Sequence, residues 1–590
     1  MKKRLVSAVV LVLVAVVAPL KTAAQALANL VPDDAMVYVG WTGINDMGPD
    51  YAGSRTKKML DASKIRETLD QLWPIAMAKM DVRKREAEIF RDMLQKFGPT
   101  ILENPTAFYI GPVDGLATGN PMPRVALLCK AGVKSAELKK EINDYIKQLL
   151  TNPLIPITAI EEDGVVAVTL GNVIPDLAGK TATTLSHRKQ FTNAMTQVGT
   201  NPILTVYVDF EAITGLVDQV ATVAPQMAGS WVMIRNSVGL GNLKRAVWTA
   251  GFSGQDFTTQ GFVEAPAPRE GILQLLDAGP LSNEALSAVP KSAVMMQAAK
   301  LDLAKLLSTF RTISGKINPQ IPGSIDSGLA LANMVVGLNL EEDFLKPMGD
   351  EWILYSSDNV GGVGPLGIVM VNHARDAAKL EKAMDVLAKI INSKIDEDHK
   401  SKKSGEPVPH LVQTKLDGLN VTFLNTPFIS PSWTFKNGNM YVALLPQNVV
   451  AAAGTSAENS ILKNEDFIAM RKRLGGKGET ALGFYDLPRS APVGYPYLMA
   501  LSRVTGAAEM HGIQTPVMLL PPMDKVMPLM SVSGSSAWTD QTGTHWKTFT
   551  PFPMAEWCGG PEVILMQVQG FVLPMLGTYG ARSKKAQIPQ

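Results

Sequence analysis

Short, nearly continuous apolar runs recur along the chain and predict β-strands, as in residues 106–110 and 124–130. They are followed by a stretch with helical spacing, residues 135–150, in which Leu138 and Ile142 lie on one face. An apolar helix face must be buried, and the adjacent sheet is its natural partner. The pattern therefore predicts an α+β fold, with an antiparallel-rich sheet and helices packed on one face.

The same pattern occurs a second time. The turn and strand at residues 30–39 match residues 288–296, with an offset of 258. Two further strands, 351–355 and 367–371, then precede a helix over 376–391, in the order seen in the first half. The later correspondences keep this order: Asp163-Gly164 with Asp417-Gly418, Phe191 with Phe467, residues 204–209 with 482–486, and Trp248 with Trp538.

The second half also contains an insertion of about 22 residues, which includes an Asn437-Gly438 hairpin signal. The pattern predicts two tandem diverged copies of one module, residues 27–281 and 282–561, followed by a C-terminal segment, 562–590. Chance recurrence of a common α+β pattern is the alternative.

This order of elements resembles an uncharacterised family of exported bacterial proteins, whose shared domain has no assigned function and often occurs duplicated. Residues 336–349 are the most characteristic local segment, and their counterpart around residues 90–98 is degraded. The resemblance implies export and the fold, and it implies no catalytic residue.

The N-terminus predicts a signal peptide over residues 1–26. A basic head at residues 1–4 precedes an apolar run at 5–20, and Ala24-Gln25-Ala26 has the small residues that signal peptidases recognise. Cleavage would leave Leu27 as the first residue of an exported protein, periplasmic or extracellular. An uncleaved membrane anchor is the alternative, although the run is short for one.

Composition narrows the possible partners. The 590 residues are 46% hydrophobic and 19% charged, which is typical of a globular protein. Loss of residues 1–26 changes the net charge from +2 to −2, so a nucleic-acid partner is not expected. Cys129 and Cys558 are too few for a disulfide-built scaffold, and a bridge between them stays open.

The catalytic motifs that can be found lack their required context. Residues 362–367 match a dinucleotide-binding loop, but a strand follows where a helix is needed. Ser54 and Ser186 each stand three residues before a lysine, without the partner motifs of penicillin-interacting enzymes. No two histidines are spaced as metal ligands on one helix face. We therefore predict no catalytic residue, cofactor or metal site.

One loop breaks the symmetry between the copies. Residues 40–53 follow the first strand, whereas a helix follows the corresponding strand of copy 2. Because acquired functions often lie in such loops, Trp41, Asp46, Asp50 and Tyr51 are candidate ligand-facing residues. A solvated connecting loop is the alternative.

Two functions remain open. The first is a non-catalytic envelope protein that binds or scaffolds an unknown envelope component, whether protein, peptide or glycan. The second is an extracytoplasmic hydrolase, whose catalytic residues would converge only in the fold. The apolar run from Val563 to Leu576 predicts a docked helix over 562–578, with weak membrane association as its alternative.

Overall fold

A computed structural model describes most of the chain. The described residues are 27–63, 95–149, 156–177, 183–199, 202–402, 408–476, 478–503, 520–560 and 563. The predicted signal peptide lies outside them, as does the predicted C-terminal helix except for Val563. The chain divides into two compact units. Unit 1 contains residues up to 57, 66–269 and 541–546, and unit 2 contains 58–65, 270–540 and 547 onwards.

Unit 1 is built on an antiparallel sheet, to which eight strands belong among the described residues. These strands are β1 Val37–Trp41, β2 Thr106–Asp114, β3 Met122–Lys130, β4 Ile157–Glu162, β5 Val165–Leu170, β6 Leu204–Asp209, β7 Arg245–Ser253 and β8 Asp256–Glu264. Their spatial order is β4-β5-β3-β2-β1-β6-β7-β8. The central strand β1 therefore pairs with strands from distant parts of the unit.

Helices connect these strands. The labelled helices up to residue 269 are α1 Gly48–Ala52, α2 Arg55–Ala62, α3 Ser135–Leu149, α4 Lys189–Met195, α5 Phe210–Val223 and α6 Pro225–Val238. Residues 95–103 are also helical.

The helices of unit 1 cover both faces of its sheet. Phe191 of α4 packs in the same core as Leu128, whereas Leu138 of α3 packs in another core with Cys129. Because successive side chains of a strand point to opposite faces, α3 and α4 lie on opposite sides. The expectation of helices on one face only is therefore wrong.

Unit 2 contains an antiparallel sheet that has one strand more than the sheet of unit 1, counted over the described residues. Its strands are β9 Ala293–Lys300, β10 Glu351–Ser357, β11 Val369–His373, β12 Leu411–Leu416, β13 Leu419–Leu424, β14 Ser432–Lys436, β15 Asn439–Ala443, β16 Ala481–Tyr485 and β17 Ser533–Thr539. Their order is β12-β13-β14-β15-β11-β10-β9-β16-β17. The strand β18, Gly543–Thr550, follows β17 along the chain.

One helix of unit 2 precedes β9 in the chain, and the others lie between the strands. They are α7 Asn283–Leu286, α8 Leu303–Ile317, α9 Gln320–Val336, α10 Ala377–Lys402, α11 Pro446–Ala453, α12 Glu465–Leu474, α13 Leu487–Ser502 and α14 Met523–Val526. A π-helix spans Leu340–Leu345. Within the described ranges, no helix combines the length and apolar character needed to cross a bilayer.

Tight turns set the strand register in both units. Asp163-Gly164 joins β4 to β5, and Asp417-Gly418 joins β12 to β13, with positive φ at both residues of each turn. The predicted Asn437-Gly438 hairpin is confirmed, since φ values of 51° and 78° there join β14 to β15. Two consecutive positive φ angles match the right-handed twist of the flanking strands.

The sequence pattern predicted that Trp248 and Trp538 occupy equivalent positions in the two units. This correspondence is wrong by three residues. Tyr207 and Phe484 are the strand residues whose rings contact the buried phenylalanine of their unit. Val206, which precedes Tyr207, pairs with Trp248, and Gly483, which precedes Phe484, pairs with Ser535. Ser535 rather than Trp538 therefore matches Trp248 in position. Hydrophobic patterning identified the strands but could not fix their register.

The phenylalanine at the core of each unit packs edge-on against the sheet. Phe191 lies 5.2 Å from Tyr207 between ring centroids, and Phe467 lies 5.7 Å from Phe484. Both phenylalanines are buried. Edge-to-face packing adds to the free energy gained from burying these large rings.

We expect Phe467→Ala to lower the free energy of unfolding of unit 2 by about 3–5 kcal/mol, because it removes a buried ring and leaves a cavity. Phe310→Ala on α8 is the matched control, because that ring is exposed, and its effect should be within about 0.5 kcal/mol. Urea unfolding followed by circular dichroism and hydrogen exchange measures both. Equal effects of the two substitutions would contradict this account of the core.

Candidate functional site

Two of the residues predicted to face a ligand make contacts within unit 1. Trp41 is only 6% exposed, and its indole Nε1 donates a hydrogen bond to the Leu102 carbonyl at 3.1 Å. The ring of Tyr51 lies 5.5 Å from that of Phe252 between centroids. These contacts use much of the surface that each aromatic side chain could offer to a ligand.

The other two predicted residues, Asp46 and Asp50, are exposed. The segment containing them is not entirely loop, because Gly48–Ala52 forms the short helix α1, with Pro49 in its first turn. Proline is well suited to the start of a helix, where its missing N–H leaves no helical hydrogen bond unmade. That the four residues bind a ligand together stays a prediction.

Titratable groups form no metal site in the part of the chain that the structure describes, and the contact of Ser186 with His187 lacks a carboxylate. It contains no group of three or more His, Cys, Asp or Glu side chains placed to hold a metal ion. His187 lies on an exposed turn, and its Nδ1 is 2.9 Å from Thr184 Oγ1 and 3.4 Å from Ser186 Oγ. A nucleophilic serine needs a base held by a third group, and no carboxylate among the described residues forms an ion pair with His187.

The buried carboxylates at the ends of β6 and β16 serve the fold. Asp209 accepts a hydrogen bond from Arg188 at 2.7 Å and caps α5 by accepting from the Ala212 N–H at 3.0 Å. Asp486 caps α13 and accepts from the Arg489 guanidinium at 3.2 Å. Burial raises the pKa of Asp486, while Arg489 acts in the opposite direction. Both carboxylates are thus committed to a helix cap and an ion pair.

A pocket of about 400 Å³ lies beside α12 in unit 2. Its lining residues are Asn283, Leu462, Phe467, Ile468, Arg471, Lys472 and Gly476. The Arg471 guanidinium is held by buried Glu479 through two hydrogen bonds, of 3.1 and 3.0 Å. Burial acts to raise the pKa of Glu479, but the hydrogen bonds from Arg471 and from the backbone, together with the charge of Arg471, outweigh burial, and the pKa is lowered.

This pocket is poorly suited to bind an anion. Its basic residues lie in the last turn of α12, where the partial negative charge of the helix carbonyls opposes an anionic ligand and favours the cations already present. Lysine and arginine at this place therefore have a structural explanation without a ligand.

Phe428 is the residue whose geometry points most directly to binding. It lies in the loop between β13 and β14, its side chain is 93% exposed, and its φ is 71°. The Ile429 N–H donates to the Pro427 carbonyl at 2.9 Å, so Phe428 is the central residue of a γ-turn. A γ-turn with positive φ is rare and strained, and a bulky residue in this region is an outlier.

The loop is held in this shape by its own polar groups. The Thr426 hydroxyl donates to the Ile429 carbonyl, and the Ser430 hydroxyl donates to the Thr426 carbonyl at 2.9 Å. The His410 N–H donates to Asn425 Oδ1 at 2.7 Å, and the Asn425 N–H donates back to the His410 carbonyl at 2.9 Å. These bonds span both ends of the turn, so the Phe428 ring is presented on a fixed backbone.

Further apolar surface lies at the same end of the sheet. Ile429 is exposed beside Phe428, and so is Leu366, which precedes β11. Val369 at the start of β11 pairs with Ala443 at the end of β15, and β15 pairs in turn with the start of β14. We call Leu366, Phe428 and Ile429 the apolar tip.

Sequence reasoning missed the apolar tip. Phe428 and Ile429 have the composition of core residues, and an isolated apolar pair does not reveal whether it is buried. The signal was present in the segment Thr426-Pro427-Phe428-Ile429-Ser430, which is followed by Pro431. Prolines on both sides of the pair exclude a strand there and favour a turn.

Comparisons with known proteins give a family and no function. A family model described as "Protein of unknown function (DUF3352)" matches residues 172–471, a range that includes the apolar tip. No curated protein and no solved structure matches the chain. The expected resemblance to a family of unknown function is therefore confirmed, while bacterial origin, export and duplication stay predictions. The matched range covers half of the chain, and the protein belongs to the DUF3352 family.

Proposed function

We propose that this chain is a non-catalytic binding protein that acts outside the cytoplasm, and that Phe428 anchors it to a protein partner. The supporting observation is a fully exposed aromatic ring on a strained, hydrogen-bonded turn. Such strain costs about 1–3 kcal/mol and persists only where the surroundings enforce it, often at binding sites. An exposed ring contributes no hydrophobic free energy within the unit to offset this strain, whereas burial of the ring in a complex would offset it.

A protein pocket fits the tip better than a glycan or a bilayer. The hydroxyls of Thr426 and Ser430 already donate within the loop, so their protons are not available to bind sugar oxygens. Residues 425–431 contain no lysine or arginine, which would attract an anionic membrane surface. An aromatic anchor surrounded by neutral residues is typical of a protein-binding hot spot.

The energetics support an anchor of this kind. Burial of a phenylalanine side chain contributes about 1.5–3 kcal/mol, and a rigid loop loses little conformational entropy on binding. The hydrolase alternative predicted from the sequence has no comparable support, because no arrangement of the described residues favours it.

We propose in addition that the two units descend from one duplicated module. In support, the bridge between Pro32 and Thr184 in unit 1 has a counterpart between Pro290 and Ser460 in unit 2. The members of these pairs differ by 258 and 276 residues, the offsets predicted from the sequence for the strand turn and for the phenylalanine helix.

The strand orders support the same proposal. From its edge to its centre, the sheet of unit 1 has the order β4-β5-β3-β2-β1. The sheet of unit 2 has the matching order β12-β13-β11-β10-β9 once the hairpin of β14 and β15 is treated as an insertion between β13 and β11. The Leu185 N–H donates to the Val31 carbonyl at 2.9 Å, and the Ile461 N–H donates to the Val289 carbonyl at 2.7 Å. An experimental structure in which these matched contacts do not superpose would reject the duplication.

Export is tested at the N-terminus. We expect the protein recovered outside the cytoplasm to begin at Leu27, because residues 24–26 have the pattern that signal peptidases recognise. N-terminal sequencing of the exported product measures this. Recovery of a chain that still begins at Met1, in the membrane fraction, would favour the uncleaved anchor.

The anchor role predicts a position-specific crosslink. A photoreactive benzoyl-phenylalanine at position 428 should join the chain to a defined protein in living cells, because the tip would lie inside the partner's pocket. The matched control position is Ile174, an apolar residue that is 88% exposed in unit 1, and it should give no such product. Mass spectrometry of the adducts identifies what was joined. Lipid adducts alone at position 428, or the same adducts at both positions, contradict a protein-binding tip.

Phe428→Gly separates a binding role from a structural one. Glycine adopts positive φ without steric strain, so we expect the free energy of unfolding to stay level or rise by about 1 kcal/mol. Formation of the crosslinked complex, assayed through a second photoreactive group at Leu366, should fall at least tenfold. A loss of thermal stability in this variant would show instead that the ring supports the fold.

A further inference from the structure

The helix α9 of unit 2 has an outer face that the described part of the chain does not cover. None of the residues of Gln320–Val336 is buried, although most of them are apolar or small. The side chains of Leu331, Met334 and Val335 are 62%, 79% and 59% exposed. A helix with so few polar residues is usually buried. The composition of α9 therefore indicates a contact that the described residues leave incomplete.

The contacts of α9 with α8 show which face is free. The Arg311 Nε on α8 lies 2.9 Å from the Asp326 Oδ1, and a Cβ on Gly315 of α8 would lie 2.9 Å from the ring of Pro322. Pro322 and Asp326, four residues apart, therefore mark the side of α9 that faces α8. Spacings of three and four residues place a second, exposed set on the far side. We call this set the α9 stripe: Gln320, Ser324, Ser327, Leu331 and Val335.

The α9 stripe carries no charge. Asp326 is the one charged residue in the sequence of α9, and it belongs to the side that faces α8. The hydroxyls of Ser324 and Ser327 each donate to the carbonyl four residues before them, at 3.1 and 2.8 Å. Their protons are thus used within the helix. The stripe can be buried without leaving a charge unpaired or a hydroxyl proton without an acceptor.

The outer face of α9 changes in size along the helix. Its first half holds small residues and its second half holds large apolar ones: Gly323, Ser324, Ser327 and Gly328 against Leu331, Met334 and Val335. Apart from the backbone of the helix itself, no atom lies within 4 Å of a Cβ built on Gly323 or Gly328. The small half is therefore open to a large side chain from outside.

This arrangement is complementary to itself. In a contact with twofold symmetry, the same surface of two copies meets in opposite directions. When the axis passes between residues 327 and 328, Leu331 of one copy lies opposite Ser324 of the other, and Val335 lies opposite Gln320. Each large residue then meets a smaller one at both ends of the contact. A charged stripe would meet its own charge across such an axis, whereas a neutral stripe does not.

We propose that α9 binds the α9 helix of a second copy of this chain, antiparallel and through the α9 stripe. The inference is independent of the proposed binding at Phe428, which involves other residues. A second copy fits this face better than an anionic membrane surface, because α9 contains no lysine or arginine. It also accounts for the size gradient, which a bilayer does not require.

Sedimentation velocity of the full chain tests the proposal. We expect a reversible dimer between about 1 µM and about 1 mM, since the face is smaller than a standard interface. Ser324→Leu should weaken the dimer at least about tenfold, because the added side chain occupies the space that receives Leu331. The matched control is Thr312→Leu on α8, an exposed position outside the stripe, which should leave the dimer unchanged.

The Ser324→Leu variant separates specific packing from general apolar association. Leucine favours the helix more than serine, so the variant should fold, and non-specific association would become stronger with the added apolar side chain. A chain that is monomeric throughout the concentration range, or a Ser324→Leu dimer as strong as the original, overturns the proposal.

The antiparallel direction has its own test. Both natural cysteines are buried, so the unmodified chain is the background for disulfide formation under mild oxidation. Ser327→Cys should crosslink two copies, because residue 327 lies beside the twofold axis. Gln320→Cys should not, since an offset of 15 residues along an antiparallel pair separates the two positions by about 22 Å. Equal crosslinking of both variants would show a different arrangement and reject the antiparallel contact.

A membrane is the competing occupant, and flotation with neutral phosphatidylcholine vesicles tests it. Leu331→Ser should weaken the dimer at least about tenfold, because one leucine is lost from each end of the contact, and the unmodified chain should not float with the vesicles. Vesicle binding by a monomeric chain that Leu331→Ser abolishes would assign α9 to a bilayer instead.

Discussion

The antiparallel register of the central strands is the constraint on which the rest of each unit depends. In unit 2, β9 pairs with β10 on one side and with β16 on the other, so that Met296 lies between Tyr355 and Phe484. A slip of one residue would turn these side chains from the core to the opposite face. The buried contact of Phe484 with Phe467 of α12 would then be lost.

The same register positions the apolar tip. The apolar tip lies on the connection from β13 to β14, and the pairing of Ser432 with Ala443 fixes where that connection emerges. A strained turn, which is unfavourable locally, is tolerated because the sheet that holds it is independently stable.

Sequence reasoning succeeded where a local interaction determines the structure. The Asn437-Gly438 turn and the two Asp-Gly turns follow from backbone sterics, because consecutive positive φ angles favour these residue types. It failed where distant residues decide. The placement of α3 opposite α4 and the register of Trp538 depend on packing between elements far apart in the chain. Phe428 was missed for the same reason, since its exposure is a property of the fold.

The two buried aspartates have the same structural role in the two units, but their arginine partners come from different elements. Asp209 and Asp486 each end a central strand and cap the following helix, and each is paired with an arginine. The cation comes from the residue before α4 in unit 1, Arg188, and from within α13 in unit 2, Arg489. Each arginine also donates to a backbone carbonyl in the turn that precedes the first strand of its unit, at Ala35 or Ser292.

A buried carboxylate requires a cation, but the physics does not specify which residue supplies it. If the two units are copies of one module, as we propose, they can therefore differ in the source of the arginine as long as the charge remains paired. The end of β16 is thus held by the same kind of ion pair as the end of β6, although the arginine comes from a different element.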